Sequence, residues 1–277
     1  MKKIIALTLA LVLALGLLAG CNKTENNNES NNTEDKTIKV AASLTPHSEI
    51  LEAAKELLAE KGYTLEVTVY NDYIVPNQVV EDGEYDANYF QHTPYLNTFN
   101  EENGTHLVAA ASIHYEPFGI YAGTVKSIDA LSEGDKVAIP NDGSNRARAL
   151  LLLEAQGLIT LKEGVGVEAT VLDIVENPKN LEIVEMEAAQ ITNVLDSVAL
   201  GVINGNYALQ AGLNAGTDAL ATEDATSLAA QTYTNIICVK EGNENSEKIK
   251  ALIEVLTSDE IRDYINNTYS GAVVPIF

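Results

Sequence analysis

Two short segments concentrate the residues able to do chemistry. Tyr89-Phe-Gln-His-Thr-Pro-Tyr95 places three aromatic rings, an amide and an imidazole within seven positions, groups that line a small-molecule pocket when they stand at a strand end. The same pattern also suits a core strand with a hydrogen-bonded histidine. Pro140-Asn-Asp-Gly-Ser-Asn-Arg-Ala-Arg148 runs from a strand pattern through a turn into a helix start. Free backbone N–H groups and the helix dipole favour an anion there, and an arginine clamps a carboxylate with two parallel hydrogen bonds. Arg146 and Arg148 are two of the three arginines in the chain. Two positions apart on a helix they point about 200° from one another, so one can meet a ligand while the other meets solvent. Two surface arginines offsetting an acidic protein is the other reading.

Catalytic signatures are scarce. G-x-S-x-G, H-E-x-x-H, C-x-x-C and the P-loop are all missing from the sequence. Gly164-Val-Gly-Val-Glu-Ala169 satisfies G-x-G-x-x-A, but it follows a polar turn and opens no helical pattern, so it carries no dinucleotide reading.

The elements that must position these segments alternate. Thr37–Ala42 and Thr64–Tyr70 read as strands around an amphipathic helix, Ser48–Lys61, with Ser48 as its cap. Strands follow at Lys136–Ile139, Leu181–Met186, Val198–Ile203 and Thr234–Val239, a helix at Ser144–Gln156, and two helices from Ser246 to about Asn267. Such alternation predicts α/β layers. About 240 residues make one large domain or two lobes of roughly 100 to 120. With no inner linker rich in Pro, Gly or Ser, two lobes require the chain to cross between them and return.

The first residues carry an address. Lys2 and Lys3 precede an uncharged apolar run, Ile4–Ala19, and Leu18-Ala-Gly-Cys21 closes it, the layout of a secretory signal. Cysteine directly after Ala-Gly resembles the bacterial lipoprotein signal, in which residues 1–20 are removed and Cys21 is lipidated. Asn22 to Thr37 contains six Asn and no apolar side chain, so it reads as a disordered polar tether. The formal net charge is −23, which repels nucleic acid and anionic headgroups. Attachment to a membrane therefore falls to lipid on Cys21, with two or more chains needed for a stable anchor. Cys238, in an apolar run, reads as a buried small hydrophobe without a disulfide partner.

At this point a family resemblance becomes visible. Thr45-Pro-His47-Ser-Glu-Ile-Leu, Asp72-Tyr-Ile-Val-Pro-Asn77, Asp86-Ala-Asn-Tyr-Phe-Gln-His92, Pro94-Tyr-Leu96, Glu116-Pro117, Pro140-Asn-Asp142, Glu176-Asn-Pro-Lys-Asn180, Glu187-Ala-Ala-Gln190, Val202-Ile-Asn-Gly-Asn-Tyr-Ala208 and Gly271-Ala-Val-Val-Pro275 occur in this order. Together they resemble the NlpA family of methionine-binding lipoproteins, over residues 38–277. The resemblance implies a two-lobed, type II-like periplasmic-binding-protein fold with a two-strand hinge, and a role as the extracytoplasmic, lipid-anchored substrate-binding subunit of an ABC importer, working with a permease and an ATPase subunit. It implies hinge crossings near Phe118–Ala122 and Gln231–Asn235, lobe one from 38–118 plus 235–277, and lobe two from 119–234. Family positions lining the methionine pocket match Tyr73, Phe90, His92 and Tyr95 from lobe one, Arg148 and Asn204 from lobe two, and Asn235 at the crossing. No cofactor and no resident metal is implied.

That set is chemically coherent for an amino-acid zwitterion. Arg148 suits a carboxylate, the amide oxygens of Asn204 and Asn235 suit an ammonium group, and the aromatic rings with His92 suit a thioether, which gains about 0.3–1.5 kcal/mol against each ring. Gly143, Arg146, Tyr89 and Thr234 depart from the family pattern without removing a ligand group, and Arg146 and Tyr89 leave room for another amino acid or a short peptide. Two other readings stand beside this one. His47, His92, His106 and His114 with Glu116 are the material for an N/O metal site in a metal-binding lipoprotein, though without ligand spacing. Glu116 with a second carboxylate would serve a lipid-anchored enzyme, and an adhesin would need no pocket. The signal yields a direct expectation: Cys21→Ser blocks lipid attachment, so the variant is left as unprocessed precursor or is released. Detergent phase partitioning checks this, and a Cys21→Ser protein of mature size that still enters detergent overturns it.

Overall fold

The computed structural model describes residues 35–223 and 232–277. The expected signal, Cys21, most of the tether, and Gln231 in the second expected crossing lie outside the described residues. In chain order the strands are β1 (Thr37–Ala42), β2 (Thr64–Val69), β3 (Ala87–His92), β4 (Leu107–Tyr115), β5 (Gly119–Ala122), β6 (Lys136–Pro140), β7 (Thr160–Leu161), β8 (Ile174–Glu176), β9 (Glu182–Met186), β10 (Leu200–Ile203), β11 (Ala219–Thr222), β12 (Thr234–Lys240) and β13 (Val274–Pro275). The α-helices are α1 (Glu49–Glu60), α2 (Val75–Glu81), α3 (Thr93–Asn103), α4 (Gly143–Ala155), α5 (Gly205–Gln210), α6 (Glu247–Leu256) and α7 (Asp259–Tyr269).

These strands form two separate sheets, each the floor of a lobe. The first runs β13-β4-β12-β3-β1-β2 and the second β11-β5-β10-β6-β9. The first sheet takes strands from both ends of the described chain, so the chain leaves it after Tyr115, builds the second sheet, and comes back at Thr234. β1 pairs in parallel with β2 and β3, which requires helical crossovers, and α1 and α2 supply them. α1 buries Ile50, Leu51, Ala54 and Leu58, a helical stripe that joins Ile38, Val40 and, from the distant α6 and α7, Leu252, Leu256, Ile261 and Ile265 in one core. The second core gathers Phe118, Ile120, Val137, Ile139, Leu150, Leu153, Leu200 and Val202.

The elements expected from the sequence stand within two residues of their observed bounds, but one cap does not. Ser48 belongs to a wide helical turn, Leu44–Ser48, and makes no side-chain bond to the α1 backbone. Its hydroxyl donates back to the Leu44 carbonyl at 2.6 Å instead, because helical backbone already precedes α1 and leaves no free N–H for Ser48 to cap. Cys238 is buried and free, and burial raises its thiol pKa.

Register brings the future site together. β12 lies antiparallel between β3 and β4, setting Asn235 opposite His92 on one side and His114 on the other. All six residues of β3 are buried, so its polar members need partners. Asn88 and Gln91 find them in a closed amide cluster with Asn77 of α2: Asn77 Nδ2 donates to Gln91 Oε1 at 3.0 Å, Gln91 Nε2 to Asn77 Oδ1 at 2.6 Å, and Asn88 Nδ2 to Asn77 Oδ1 at 2.8 Å. That cluster fixes the α2 start, and Tyr73 before it, against Phe90.

The lobes meet through direct bonds. Tyr73 Oη donates to Asn206 Oδ1 at 2.6 Å, Tyr207 Oη to the Asn71 carbonyl at 3.2 Å, and His92 Nε2 lies 3.1 Å from Asn145 Oδ1. At the centre of this junction Glu116, just past β4, packs on Gly205 at the start of α5. A Cβ on residue 205 would stand 2.6 Å from Glu116 Cβ and 2.7 Å from its Oε2, so only glycine lets the lobes approach this closely. Gly205→Ala should therefore cost about 1–3 kcal/mol by overpacking, lowering the melting temperature and enlarging the radius of gyration in small-angle scattering. Unchanged values for both would mean that Glu116 yields freely.

Candidate functional site

The site is the cavity between the lobes. His92, the last residue of β3, has extended backbone (φ −106°, ψ 162°), and its Nδ1 accepts from the Tyr95 N–H at 3.2 Å as the cap of α3. That bond leaves Nε2 as the protonated nitrogen, which donates to Asn145 Oδ1. Burial, followed by the Arg148 charge, pushes the His92 pKa down to about 3, so the ring is neutral. Tyr95 Oη donates to the Tyr73 carbonyl at 3.0 Å. The Tyr73, Phe90 and Tyr95 rings then close an apolar corner with centroids 5.6, 5.6 and 5.9 Å apart.

Lobe two presents its groups from two helix starts. Asp142 caps α4, and its Oδ1 accepts from both the backbone N–H and the Nδ2 of Asn145 at 3.0 Å. Asn145 is thereby turned so that its Oδ1 receives Asn204 Nδ2 at 2.9 Å. The other end of that amide, Asn204 Oδ1, is buried and has no partner among the described residues, and the same holds for Asn206 Nδ2. An unpartnered acceptor in a buried site costs about 1–3 kcal/mol, which marks a place for a donor from a bound molecule.

Arg148, one turn into α4, is 4% exposed. Its guanidinium carbon lies 4.3 Å from the Tyr233 ring centre and 4.7 Å from that of Phe118. It does not stand as the free carboxylate clamp expected from the sequence. Nε donates to Glu223 Oε1 at 2.8 Å and Nη2 to Glu223 Oε2 at 2.6 Å, with a further Nη2 bond to the Glu116 carbonyl at 3.1 Å. Burial opposes its charge, and Glu223 more than offsets burial, so its pKa is raised. Arg146 points elsewhere, 3.4 Å from Glu185.

Asn235 is likewise already engaged. His47 Nε2 donates to its Oδ1 at 2.9 Å while His47 Nδ1 accepts from Ser43 Oγ at 2.6 Å. Behind it, His114 Nε2 donates to Glu116 Oε1 at 2.8 Å and its Nδ1 accepts from Tyr89 Oη. Burial lowers His47 to about 4, against the pull of Glu116, and lowers His114 to about 3, while burial raises Glu116, opposed by His47. Of the groups weighed for a metal, His47, His114 and Glu116 do converge, with ligating atoms within 4.8 Å of one another. Every ring nitrogen of the two histidines is nonetheless used in this hydrogen-bonded network. His92 is turned toward Asn145, and His106 stands at the surface, 3.9 Å from Glu81.

The cavity thus brings together all seven residues singled out from the sequence, Tyr73, Phe90, His92, Tyr95, Arg148, Asn204 and Asn235. It adds Gln91, Glu116, Asn145, Gly205 and Asn206 to its walls. Asn145 was open to detection through the Asp142-x-x-Asn145 capping spacing and Asn206 through its place at a helix start, whereas nothing in the polar stretch around Glu223 distinguishes that residue.

Residues 38–277 match the NlpA lipoprotein family. The chain is 47% identical over 247 residues to the methionine-binding lipoprotein MetQ of Bacillus subtilis, covering 87% of this chain and 88% of that protein. A lipoprotein structure from Ruminococcus gnavus superimposes with TM-score 0.87 at 65% identity, covering 87% of this chain and 100% of that one. A nutrient-binding protein from Burkholderia cenocepacia, bound to methionine, superimposes with TM-score 0.83 at 40% identity, covering 87% of this chain and all of that one (100%). Two α/β lobes, the order of the motifs and these likenesses agree: the chain belongs to the NlpA lipoprotein family.

Proposed function

We propose that this chain is the extracytoplasmic substrate-binding subunit of an ABC importer, held to the membrane by lipid on Cys21, which takes up methionine between its lobes and delivers it to a permease with its ATPase subunit. In this reading lobe one is 38–118 plus 235–277 and lobe two is 119–234. The observation that carries it is Asn204 Oδ1, buried and without a partner among the described residues, on a residue lining a cavity that also holds an aromatic corner and a guanidinium. A zwitterion with a thioether side chain meets all three needs at once.

The roles follow from the chemistry. The ligand ammonium donates to Asn204 Oδ1, with the second lone pair of the Asn235 amide oxygen available beside it. The carboxylate goes to Arg148 at Nη1, the guanidinium nitrogen that has no hydrogen bond among the described residues. The thioether lies against Tyr73, Phe90 and Tyr95, with neutral His92 at the edge. Because the ligand touches both lobes, it favours the closed arrangement by its differential affinity, and closure is what a permease can read. The role is that of a carrier and not of an enzyme, in keeping with relatives named as binding lipoproteins.

A ligand that binds only the folded state raises stability by about 2.7 kcal/mol at a hundredfold excess over Kd. Thermal shift of protein stripped by partial unfolding should therefore rank L-methionine above leucine, glutamine and histidine; a larger shift with zinc, or none with any amino acid, overturns the assignment. The two arginines test the pocket itself. Arg148→Ala should weaken methionine binding by about 2–5 kcal/mol, on the order of 30- to several-thousand-fold. Arg146→Ala removes a partly solvated charge and should cost well under about 1 kcal/mol. Calorimetric titration decides, and equal losses would move the anion site away from Arg148.

A further inference from the structure

The Arg148–Glu223 pair bears on more than the shape of the clamp. Glu223 follows β11, its side chain is 10% exposed, and Tyr115 Oη donates to its Oε2 at 2.8 Å. It covers the Nε–Nη2 edge of Arg148 with a bidentate fork, so the strongest anion-binding edge of the guanidinium is occupied by the protein itself. Among the described residues Nη1 alone makes no hydrogen bond, on a cation that lines the cavity and whose charge is already balanced at 2.6 Å. An arginine alone in a desolvated cleft would attract any carboxylate and would hold a net-anionic ligand in preference to a neutral one. The pair presents direction without net charge.

We propose that Glu223 sets the charge selectivity of the cleft: by making Arg148 half of a neutral pair, it admits net-neutral zwitterionic amino acids and rejects net-anionic molecules that carry the same side chain, such as des-amino acids. This rests on the reading of the cleft as a methionine site. Glu223 stands behind Arg148 and not in the cavity wall; the acid that does line the wall, Glu116, accepts from His114, and Asp142 at the start of α4 accepts from Asn145 and Ser144. They are common to every variant below, so a change at Glu223 isolates its own charge.

The test is a ligand series with one thioether side chain and three charges: cationic L-methioninamide, neutral L-methionine, and the anionic des-amino analogue methylthiobutanoate, each titrated by calorimetry. Glu223→Gln keeps an acceptor for Arg148 Nε and removes the charge. It should raise the affinity for the anion relative to the cation by about tenfold or more, since a unit charge a few ångströms away outweighs that factor at the effective dielectric of such sites. Glu223→Gln leaves an uncompensated guanidinium and can fold poorly, so the same change is also made in an Arg148→Gln background, where both partners are neutral. The double variant should favour the anion over the cation by about tenfold or more relative to Arg148→Gln alone. An anion-to-cation ratio that stays constant in both backgrounds, including equal weakening of all three ligands as expected of a merely structural residue, overturns the proposal. Failure of the unaltered chain to bind L-methionine would instead remove the reading beneath it.

Discussion

A guanidinium that is 4% exposed imposes conditions on everything near it. Taking such a charge out of water costs several kcal/mol unless a partner and further hydrogen bonds replace the lost solvent. Here the replacements come from two distant segments: the Glu116 carbonyl and the Phe118 ring between β4 and β5, and the Glu223 carboxylate and the Tyr233 ring between β11 and β12. Each of these lies where the chain passes between the two sheets. The crossing segments are thus tied to the start of α4 by one side chain, and the cavity between the lobes inherits its geometry from that tie.

The opposite wall obeys a different constraint, the satisfaction of buried neutral groups. Three histidines no more than 5% exposed stay uncharged because burial depresses each of them. Each then uses one nitrogen as donor and the other as acceptor: His47 between Ser43 and Asn235, His114 between Tyr89 and Glu116, His92 between Tyr95 and Asn145. A neutral imidazole with both nitrogens engaged has one tautomer and little rotational freedom. Asn235 and Asn145 are held in consequence, and Asn145 in turn holds Asn204. Asn204 Oδ1, without a partner among the described residues, is what this chain of bonds leaves over.

Much of this arrangement is legible in the sequence itself. Period and capping signals recover the helices and strands because amphipathic elements such as α1 obey local rules. The aromatic segment ending in Tyr95 and the turn leading to Arg148 were recognisable because pocket-lining groups cluster at a strand end and a helix start. The family motifs supplied the pairing of these distant segments, which periodicity cannot give. What escaped was set by tertiary contact alone. Ser48 has the right type and place for a cap, but the helical turn before it removes the need. Glu223 sits in a polar stretch with no pattern, and its meeting with Arg148, 75 positions away, follows from the path of the chain between sheets.

The division between bonds already made and bonds left open also bears on how specificity and closure are related. Moving a two-state equilibrium from mostly open to mostly closed takes about 5.5 kcal/mol of differential binding. Direct bonds between the lobes, Tyr73 to Asn206, Tyr207 to Asn71 and His92 to Asn145, contribute on the order of 1 kcal/mol each and so reduce what a ligand must supply. Contacts of that kind favour closure on any occupant that fits. Discrimination must come from groups the protein cannot satisfy alone, because only the correct ligand removes their penalty when the lobes shut. Among the described residues of this cleft those are Asn204 Oδ1, Asn206 Nδ2 and Arg148 Nη1, and under the proposed reading a ligand lacking the complementary groups closes the same lobes over an unpaired atom.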